Sequence, residues 1–550
     1  MYSFVKRAII PLTAAAVSLL AALLARRNPH WLWVLAVSLP VLLLGIFDWL
    51  QKSWNITRNY PVAGRIRWIF YRLRPYLRAY IVEDDLHGKP FSFEARNLVH
   101  KRARGQTDTH PFGTQRDTAG RNHHWLSHSI KPEEHPETSP RVEVGNSQTS
   151  QPYSASVLNI SAMSFGALSA NAVEALNIGA RLGGFYHDSG EGGLSPYHLK
   201  HGGDLVWELG SGYFGARDRH GRFDASRFRD EAAREQVKMT EIKLSQGAKP
   251  GHGGLLPAAK VTEEIARIRG VPAHRDCLSP RSHSAFSTPV ELLEFAARLR
   301  DLSGGKPVGI KLCPGQPYEV FALMKAMLAT GIRPEFIVVD GAEGGTGAAP
   351  VELSDWVGMP LIKGLILVRN ALVGCNLKDE TRLAASGKVY SGMGLVRNLA
   401  MGADWCNAAR AFMFSIGCIQ ARRCHLGTCP TGVTTQDKGR QRGLIPRIQG
   451  RHAARFHEKT LEALADMVAA AGLKHPRDLQ PHHLSFRSGP EAHSTLDRIH
   501  TFLPPGALID APQDTLYASW WAAARADSFD PAPGLADKRA RTLAGNNTPS

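Results

Sequence analysis

Val308-Gly-Ile-Lys311-Leu312 reads as a strand, residues 317–329 as a helix, and Phe336-Ile-Val-Val-Asp340 as the next strand. Both runs are short and apolar, and a helical pattern lies between them. The same alternation extends outward in both directions. Upstream, residues 157–163 predict a strand, 170–182 a helix, 184–188 a short strand, 239–244 a strand, and 258–268 and 290–302 helices. Downstream, residues 388–391 predict a strand, 395–401 a helix and 405–410 a strand. Repeated strand–helix alternation implies an α/β fold with a parallel sheet. Its extent, residues 156–430, suits the roughly 250-residue (β/α)8 TIM barrel. An open doubly wound sheet has a similar texture, but no G-x-G-x-x-G follows the first strand.

The chain has 550 residues, a formal net charge of +17 and seven cysteines. An odd cysteine count without a regular pairing pattern argues for a reducing compartment. Residues 8–25 carry no charge, and residues 31–49 are broken only by Pro40 and Asp48. At 1.5 Å per residue each run approaches the ~30 Å hydrocarbon core of a bilayer. The short link Arg26-Arg-Asn-Pro-His30 makes the pair a transmembrane hairpin. A cleaved signal peptide is the competing reading of the first run, and a buried soluble hairpin the competing reading of both. Lys52, Arg58, Arg65, Arg67, Arg72, Arg74 and Arg78 follow, outnumbering the two arginines of the link. That asymmetry predicts that the long C-terminal part lies on the cytoplasmic side of the cytoplasmic membrane. It also lets these side chains meet anionic lipid. Part of the positive charge is thus explained without nucleic acid, for which no recognition signature is present. The expected organisation is a hairpin over residues 1–52, a basic juxtamembrane and irregular lead-in segment over 53–150, the barrel over 151–436, a C-terminal helical extension over 437–526 and a disordered tail over 527–550.

Cys418-Ile-Gln-Ala-Arg-Arg-Cys424-His-Leu-Gly-Thr-Cys429-Pro430 brings three cysteines into one loop. Clustered thiolates ending in Cys-Pro suit an iron–sulfur cluster. Zinc with His425 as a fourth ligand is the rival, although the two-residue gaps that zinc sites favour are absent. Three unrelated buried thiols are the plain alternative. A barrel keeps its active site at the C-terminal ends of its strands. There the sequence puts Lys311, Ser391-Gly-Met-Gly394 and several other glycine-rich turns. Ser391, Gly392 and Gly394 open a helix and form a candidate phosphate cradle, with Arg410 as counter-charge. Tight strand-to-helix turns account for the same glycines. Lys311 ends an apolar strand, where a charge is seldom found without a partner. Its ammonium suits negative charge on a reduced flavin or a substrate carboxylate.

Five stretches carry a resemblance: Ser161-Ala-Met-Ser-Phe-Gly-Ala-Leu-Ser169, Ser189-Gly-Glu-Gly-Gly193, Gln246-Gly-Ala-Lys-Pro-Gly251, Gly344-Gly-Thr-Gly347 and the three-cysteine loop. In this order they resemble the FMN-binding synthase domain of glutamate synthases, over half the chain. The resemblance implies a (β/α)8 barrel carrying FMN with a 3Fe–4S cluster beside it. It implies oxidoreductase chemistry that adds ammonia to 2-oxoglutarate and reduces 2-iminoglutarate to L-glutamate. Carried over by position, Cys418, Cys424 and Cys429 ligate the cluster. Ser161, Ala162, Met163, Ser164, Gln246, Lys311, Gly344, Gly345, Gly347, Ser391, Gly392, Gly394 and Arg410 approach the flavin. Lys311, Lys249 and Glu343 are the candidate catalytic residues.

The departures are specific. The chain begins Met1-Tyr2-Ser3 rather than with a cysteine nucleophile, so the expectation is that it has no glutaminase domain of its own. Ammonia then comes from solution or from a separate glutaminase subunit. His252 stands where the family usually has Glu, and Glu343 where it usually has Asp. Both leave the substrate open. The alternatives are a membrane-linked FMN and iron–sulfur oxidoreductase acting on another amino or oxo acid, with an electron-donor protein or a quinone as partner, and a catalytically silent barrel.

Overall fold

The structure is a computed structural model that describes residues 2–121, 123–135, 139–489 and 492–533. The expected disordered tail lies outside the described residues from position 534 onward. The chain divides into two compact units, Met1–Phe93 and Glu94–Ser550.

The first unit opens with helices α1 (Tyr2–Ala25) and α2 (Trp31–Leu50), each long and apolar enough to cross a membrane by length and composition. They meet through small residues. Ala8, Ala14 and Ala21 are buried, the Ser18 hydroxyl donates to Ser38 Oγ at 2.8 Å, and a Cβ on Gly45 would stand 2.6 Å from Pro11 Cβ. Only small side chains let two helix backbones approach this closely. Near the end of α2, buried Asp48 accepts from Arg65 Nη2 at 2.6 Å and from the Val62 amide at 2.9 Å. Helix α3 (Ile66–Leu77) starts at the next residue after Arg65.

The second unit is built on a closed barrel of eight strands. In chain order these are β1 (Leu158–Ile160), β2 (His187–Asp188), β3 (Leu205–Leu209), β4 (Val237–Lys243), β5 (Val308–Leu312), β6 (Phe336–Asp340), β7 (Arg382–Ser386) and β8 (Trp405–Ala408). Each pairs in parallel with the next, and β8 closes on β1 with Asn407 opposite Asn159. The (β/α)8 barrel expected from the sequence is the fold observed.

Several element readings are corrected. Strand β3 was not expected, because Glu208 interrupts the apolar run Leu205-Val-Trp-Glu-Leu. Residues 388–391 form a turn in which Lys388 has φ +50°. The strand lies earlier, in Arg382-Leu-Ala-Ala-Ser386. That run has no β-branched residue to advertise it, and it is a strand because barrel closure leaves it buried between neighbours. Residues 405–410 end as a strand at Ala408, and Arg410 begins a short helix. The lead-in expected to be irregular contains helix α4 (Phe93–Arg104) and strand Arg141–Val144, which pairs antiparallel with Tyr153–Ser156.

Three further helices bear on the site. Ser169 accepts from the Ala172 amide and so caps α5 (Ala170–Gly183), which ends at Gly184 with φ +64°. This is a side-chain cap at one end and a left-handed glycine at the other. Helix α6 (Leu361–Gly374), not expected from the sequence, follows β6, and α7 (Gly392–Ala400) follows β7. The long α8 (Pro446–Ala470) packs on α5, where a Cβ on Gly179 would lie 2.6 Å from Ala453 Cβ.

Candidate active site at the barrel mouth

The barrel interior is charged. In register, Glu208 of β3 stands opposite Glu241 of β4, and Lys243 of β4 opposite Lys311 of β5. The Lys311 ammonium lies 2.5 Å from Glu208 Oε2 and 3.8 Å from Glu241 Oε1. Lys243 Nζ lies 3.7 Å from Glu208 Oε1 and 3.0 Å from Glu191 Oε1. Burial alone would discharge Lys311, but Glu208, Glu241, Asp188 and Asp340 carry its pKa well above the usual lysine value. Asp188 is pushed up to about 7 by burial and then by Glu208. Burial also lifts Glu241 well above the carboxylate range, with Asp188 adding to it. Burial opposes ionisation of Glu191 too, yet Lys243 outweighs it and holds that carboxyl low. Asp188, Glu208 and Glu241 bring oxygens within 4.8 Å of one another. The Lys311 ammonium already pairs with two of the three, Glu208 and Glu241.

Above this layer opens a narrow cleft walled by Glu191, Lys243, Gln246, Lys249, His252 and Arg281. Lys249 is 4% exposed. Burial lowers its pKa, with Glu191 opposing that shift, and no carboxylate reaches it among the described residues. A buried cation without an ion-pair partner fits an anionic ligand. The loop carrying Lys249 is fixed across the mouth by the Gly247 amide, which donates to Asp340 Oδ2 at 2.8 Å.

The other expected residues fall on the same rim. Ser161 Oγ is 3.3 Å from Ser386 Oγ. Ser161 and Met163 are buried, with Ala162 and Ser164 partly exposed. Gly190, with φ +64°, packs so closely that a Cβ would lie 2.6 Å from the Ser164 amide nitrogen. Glu343 is engaged structurally: its Oε2 accepts from the Leu361 amide at 2.9 Å at the start of α6, and its carbonyl accepts from Arg410 Nη2 at 2.6 Å. Arg410 is lowered to about 10 by burial, with Asp340 and Glu343 opposing that shift. It stands directly behind Gly345, whose Cβ would lie 2.9 Å from the guanidinium. Gly344 packs on Gly341 and Ala248.

The Ser391–Gly394 turn does two jobs. Ser391 Oγ accepts from the Gly394 amide at 3.2 Å and caps α7. Gly392 faces α8, where a Cβ would lie 3.0 Å from the Ala463 backbone. Around Gly394 the space is open except for Ser391 Oγ at 3.5 Å and Val389. Arg410 behind a bare glycine, an open helix N-terminus and the partnerless Lys249 together suit a flavin phosphate and an anionic substrate.

The cysteine loop is tied to this rim. Gln436 Nε2 donates to the carbonyls of Gly166 and Leu168, at 3.1 and 3.0 Å. A Cβ on Gly347 would lie 3.7 Å from Cys424 Cβ. His100 of α4 contacts the Cys418 carbonyl at 3.1 Å. Burial pushes the Cys418 thiol up to about 12, and charges on Cys424 and Cys429 would add to it. The Cys429 thiol is held below its usual range: burial opposes ionisation, but hydrogen bonds from Thr431 and Thr434 outweigh it. Lys260, whose pKa burial lowers while Cys424 and Cys429 oppose the shift, donates to the Ala167 carbonyl at 3.3 Å.

Two observations bear on what the sulfurs hold. Among the described residues, the three do not converge to the spacing of a single ion. The buried Thr428 hydroxyl beside Cys429 has no partner. Three soft donors that do not close on one ion, with a free hydroxyl donor beside them, fit an iron–sulfur cluster better than zinc.

Glu208, Glu241, Lys243, Asp188, Glu191 and Lys260 were not anticipated. The signal for Glu208 was present: it is the one charge in the otherwise apolar run Leu205–Leu209, the same argument that singled out Lys311, whereas Glu241 and Lys243 share their strand with Lys238 and Thr240.

The family described as the conserved region in glutamate synthase matches residues 96–474. The chain is 35% identical over 512 residues to the glutamate synthase large subunit-like protein YerD of Bacillus subtilis (strain 168), covering 85% of this chain and 97% of that one. It is 30% identical over 313 residues to the archaeal-type glutamate synthase [NADPH] of Thermotoga neapolitana, covering 57% of this chain and 58% of the relative. Against the glutamate synthase [NADPH] large chain of Azospirillum brasilense, identity is 33% over 281 residues, 50% of this chain but 17% of that one. A barrel whose charged mouth and three-cysteine loop lie within the matched region thus belongs to the glutamate synthase family, as a glutamate synthase-like oxidoreductase.

Proposed function

We propose that the chain catalyses reductive amination of 2-oxoglutarate through 2-iminoglutarate to L-glutamate, with FMN and a 3Fe–4S cluster as its cofactors. The observation that carries the reading is Lys249: a buried ammonium without an ion pair among the described residues, beside Lys243, at the mouth of a family barrel. The reaction consumes ammonia, two electrons and two protons, and releases water. Bound FMN would supply hydride transfer, and the cluster one-electron transfer from an external donor.

The chain's own residues bind, orient and shield. Ser161–Ser164, Gln246, Gly344–Gly347, Ser391, Gly394 and Arg410 would hold FMN, and Cys418, Cys424 and Cys429 the cluster. Lys249 would take a substrate carboxylate in a desolvated, charge-assisted contact. Lys311 holds positive charge under the mouth, fixed by Glu208, and Asp188 with Glu241 holds protons in the same layer. Glu343 acts as a positioning residue through α6 and Arg410.

The hairpin would anchor the enzyme in the cytoplasmic membrane with the barrel facing the cytoplasm. Electrons would come from a donor protein or a quinol. Ammonia would come from solution or a separate glutaminase subunit. A second reading keeps both cofactors and changes the oxo acid. It is favoured by His252 in the cleft wall, where its Nδ1 contacts the Gly253 carbonyl at 2.8 Å.

The test is anaerobic purification with visible and electron-resonance spectra, followed by 2-oxoglutarate, ammonia and a reduced dye. Glutamate formation supports the first reading. A coloured protein that forms none but turns over another oxo acid supports the second. A colourless protein removes both.

A further inference from the structure

Helix α3 and the turn Arg78–Val82 that continues it carry an apolar face that no described residue of the first unit covers. Successive helical residues are about 100° apart, so Ile66, Ile69, Phe70, Leu73 and Leu77 share one side. They are 54%, 56%, 60%, 44% and 37% exposed. Arg67, Arg74 and Arg78 line one flank of this face, and Arg72 the other. A soluble helix buries such a stripe against its own core. Here the stripe is left to solvent, with basic residues along both margins.

Its position is fixed by a second, separate observation. The last turn of α2 holds buried Asp48, whose carboxylate takes Arg65 Nη2 at 2.6 Å and the Val62 amide at 2.9 Å. The start of α3 is therefore pinned to the foot of the second candidate span. Aromatic rings collect at this level: Trp54 and Trp68 lie 4.9 Å apart, and Trp68 and Tyr71 6.1 Å. Trp and Tyr concentrate at the membrane–water interface, where an apolar ring body and a polar edge are both satisfied.

We infer that α3 is an in-plane interfacial helix. It lies at the surface of an anionic bilayer, with Ile66, Phe70, Leu73 and Leu77 in the acyl boundary and Arg67, Arg72, Arg74 and Arg78 on lipid phosphates. Amphipathic helices with long cations beside the apolar stripe bind in this way: the arginine stems pack on the tails while the guanidinium groups reach the head groups. Charge complementarity selects anionic over neutral lipid. The inference rests on the reading that α1 and α2 span a membrane.

The test places single spin labels on the full chain in nanodiscs, at Leu73→Cys on the apolar face, Tyr71→Cys on the polar side and Leu43→Cys within α2. The labelled unsubstituted chain supplies the background from native cysteines. Accessibility to oxygen, which concentrates in lipid, is compared with accessibility to a water-soluble nickel chelate. In phosphatidylglycerol-containing discs the expected result is several-fold preference for oxygen at Leu43 and Leu73, and for nickel at Tyr71. In neutral discs, or with Arg67, Arg72, Arg74 and Arg78 all changed to Ser, Leu73 moves toward nickel while Leu43 does not. Lipid exposure at Leu43 with Leu73 as wet as Tyr71 overturns the in-plane helix and leaves the spans standing. Shielding of Leu73 from both reagents means that protein covers the face, which also overturns it. A wet Leu43 removes the spanning reading and this inference together. Circular dichroism melting of each variant confirms that the labelled chains are folded.

Discussion

The Lys311 ammonium lies 2.5 Å from a Glu208 carboxylate oxygen, and both side chains are buried inside the barrel. Removing one partner of such a pair leaves an uncompensated charge out of water, which typically costs about 3–5 kcal/mol. Lys311→Met is therefore expected to destabilise the protein by an amount of that order, read as a lowered thermal midpoint. Lys311→Met with Glu208→Gln should recover part of the loss, because the orphaned charge is gone. A double variant no more stable than the single one would refute the coupling.

Among the described residues Lys249 has no ion-pair partner to satisfy, so its loss should spare the fold. Lys249→Gln is expected to lower kcat/KM for the oxo acid by roughly 10- to 100-fold, the span of one charged hydrogen bond of about 1.5–3 kcal/mol. Flavin content and melting temperature should stay unchanged. An equal loss of bound flavin would reassign Lys249 to the cofactor.

Cys418, Cys424 and Cys429 lie outside the strands, on a loop attached to the rim by Gln436. Cys424→Ser is expected to abolish iron content and broad visible absorption while circular dichroism still reports the barrel. Retention of stoichiometric iron in all three Ser variants would end the cluster assignment.

Lys260 lies within electrostatic reach of Cys424 and Cys429, its stem beside Gly427 between them. A positive charge at that place favours the more negative, reduced state of a bound cluster. Lys260→Met should shift the cluster's midpoint potential to more negative values in a spectroscopic redox titration, with iron content unchanged. An unmoved potential would leave Lys260 a purely structural anchor for the Ala167 carbonyl.

Asp188 is raised from an ordinary 3.8 to about 7 by burial and by Glu208. Folding takes up a proton in that interval, so this residue's contribution falls as pH rises through it, by up to about 1.4 kcal/mol per pH unit. Asp188→Asn removes the titration. Its stability is expected to be flatter than the parent's between pH 4 and 7, measured as thermal midpoints across that range. Parallel profiles for the two proteins would show that Asp188 does not hold the proton.

The barrel was readable where strands were apolar and the turns between elements were chemically marked. β5, β6 and the helix between them are plain in Val308–Leu312, Pro317–Thr330 and Phe336–Asp340. β3 and β7 were not, because Glu208 and the Arg382-Leu-Ala-Ala-Ser386 composition contradict local strand patterns that barrel closure overrides. The cysteine spacing and the glycine-rich motifs identified the rim residues. They did not reveal that Glu343 is taken up by the Leu361 amide, or that Gly392 faces α8.

By itself the sequence determined which elements alternate, which loop carries three thiols and where two apolar runs precede a basic segment, because periodicity, spacing and composition are local properties. Only the tertiary structure decided that Glu208, Glu241, Lys243 and Lys311, spread over more than 100 positions, share one buried layer. It alone joined the cysteine loop to the Ser161–Ser169 turn through Gln436 and left the apolar face of α3 uncovered. Those facts depend on strand register and chain closure, which bring distant residues within a few ångströms and leave no trace in the local pattern.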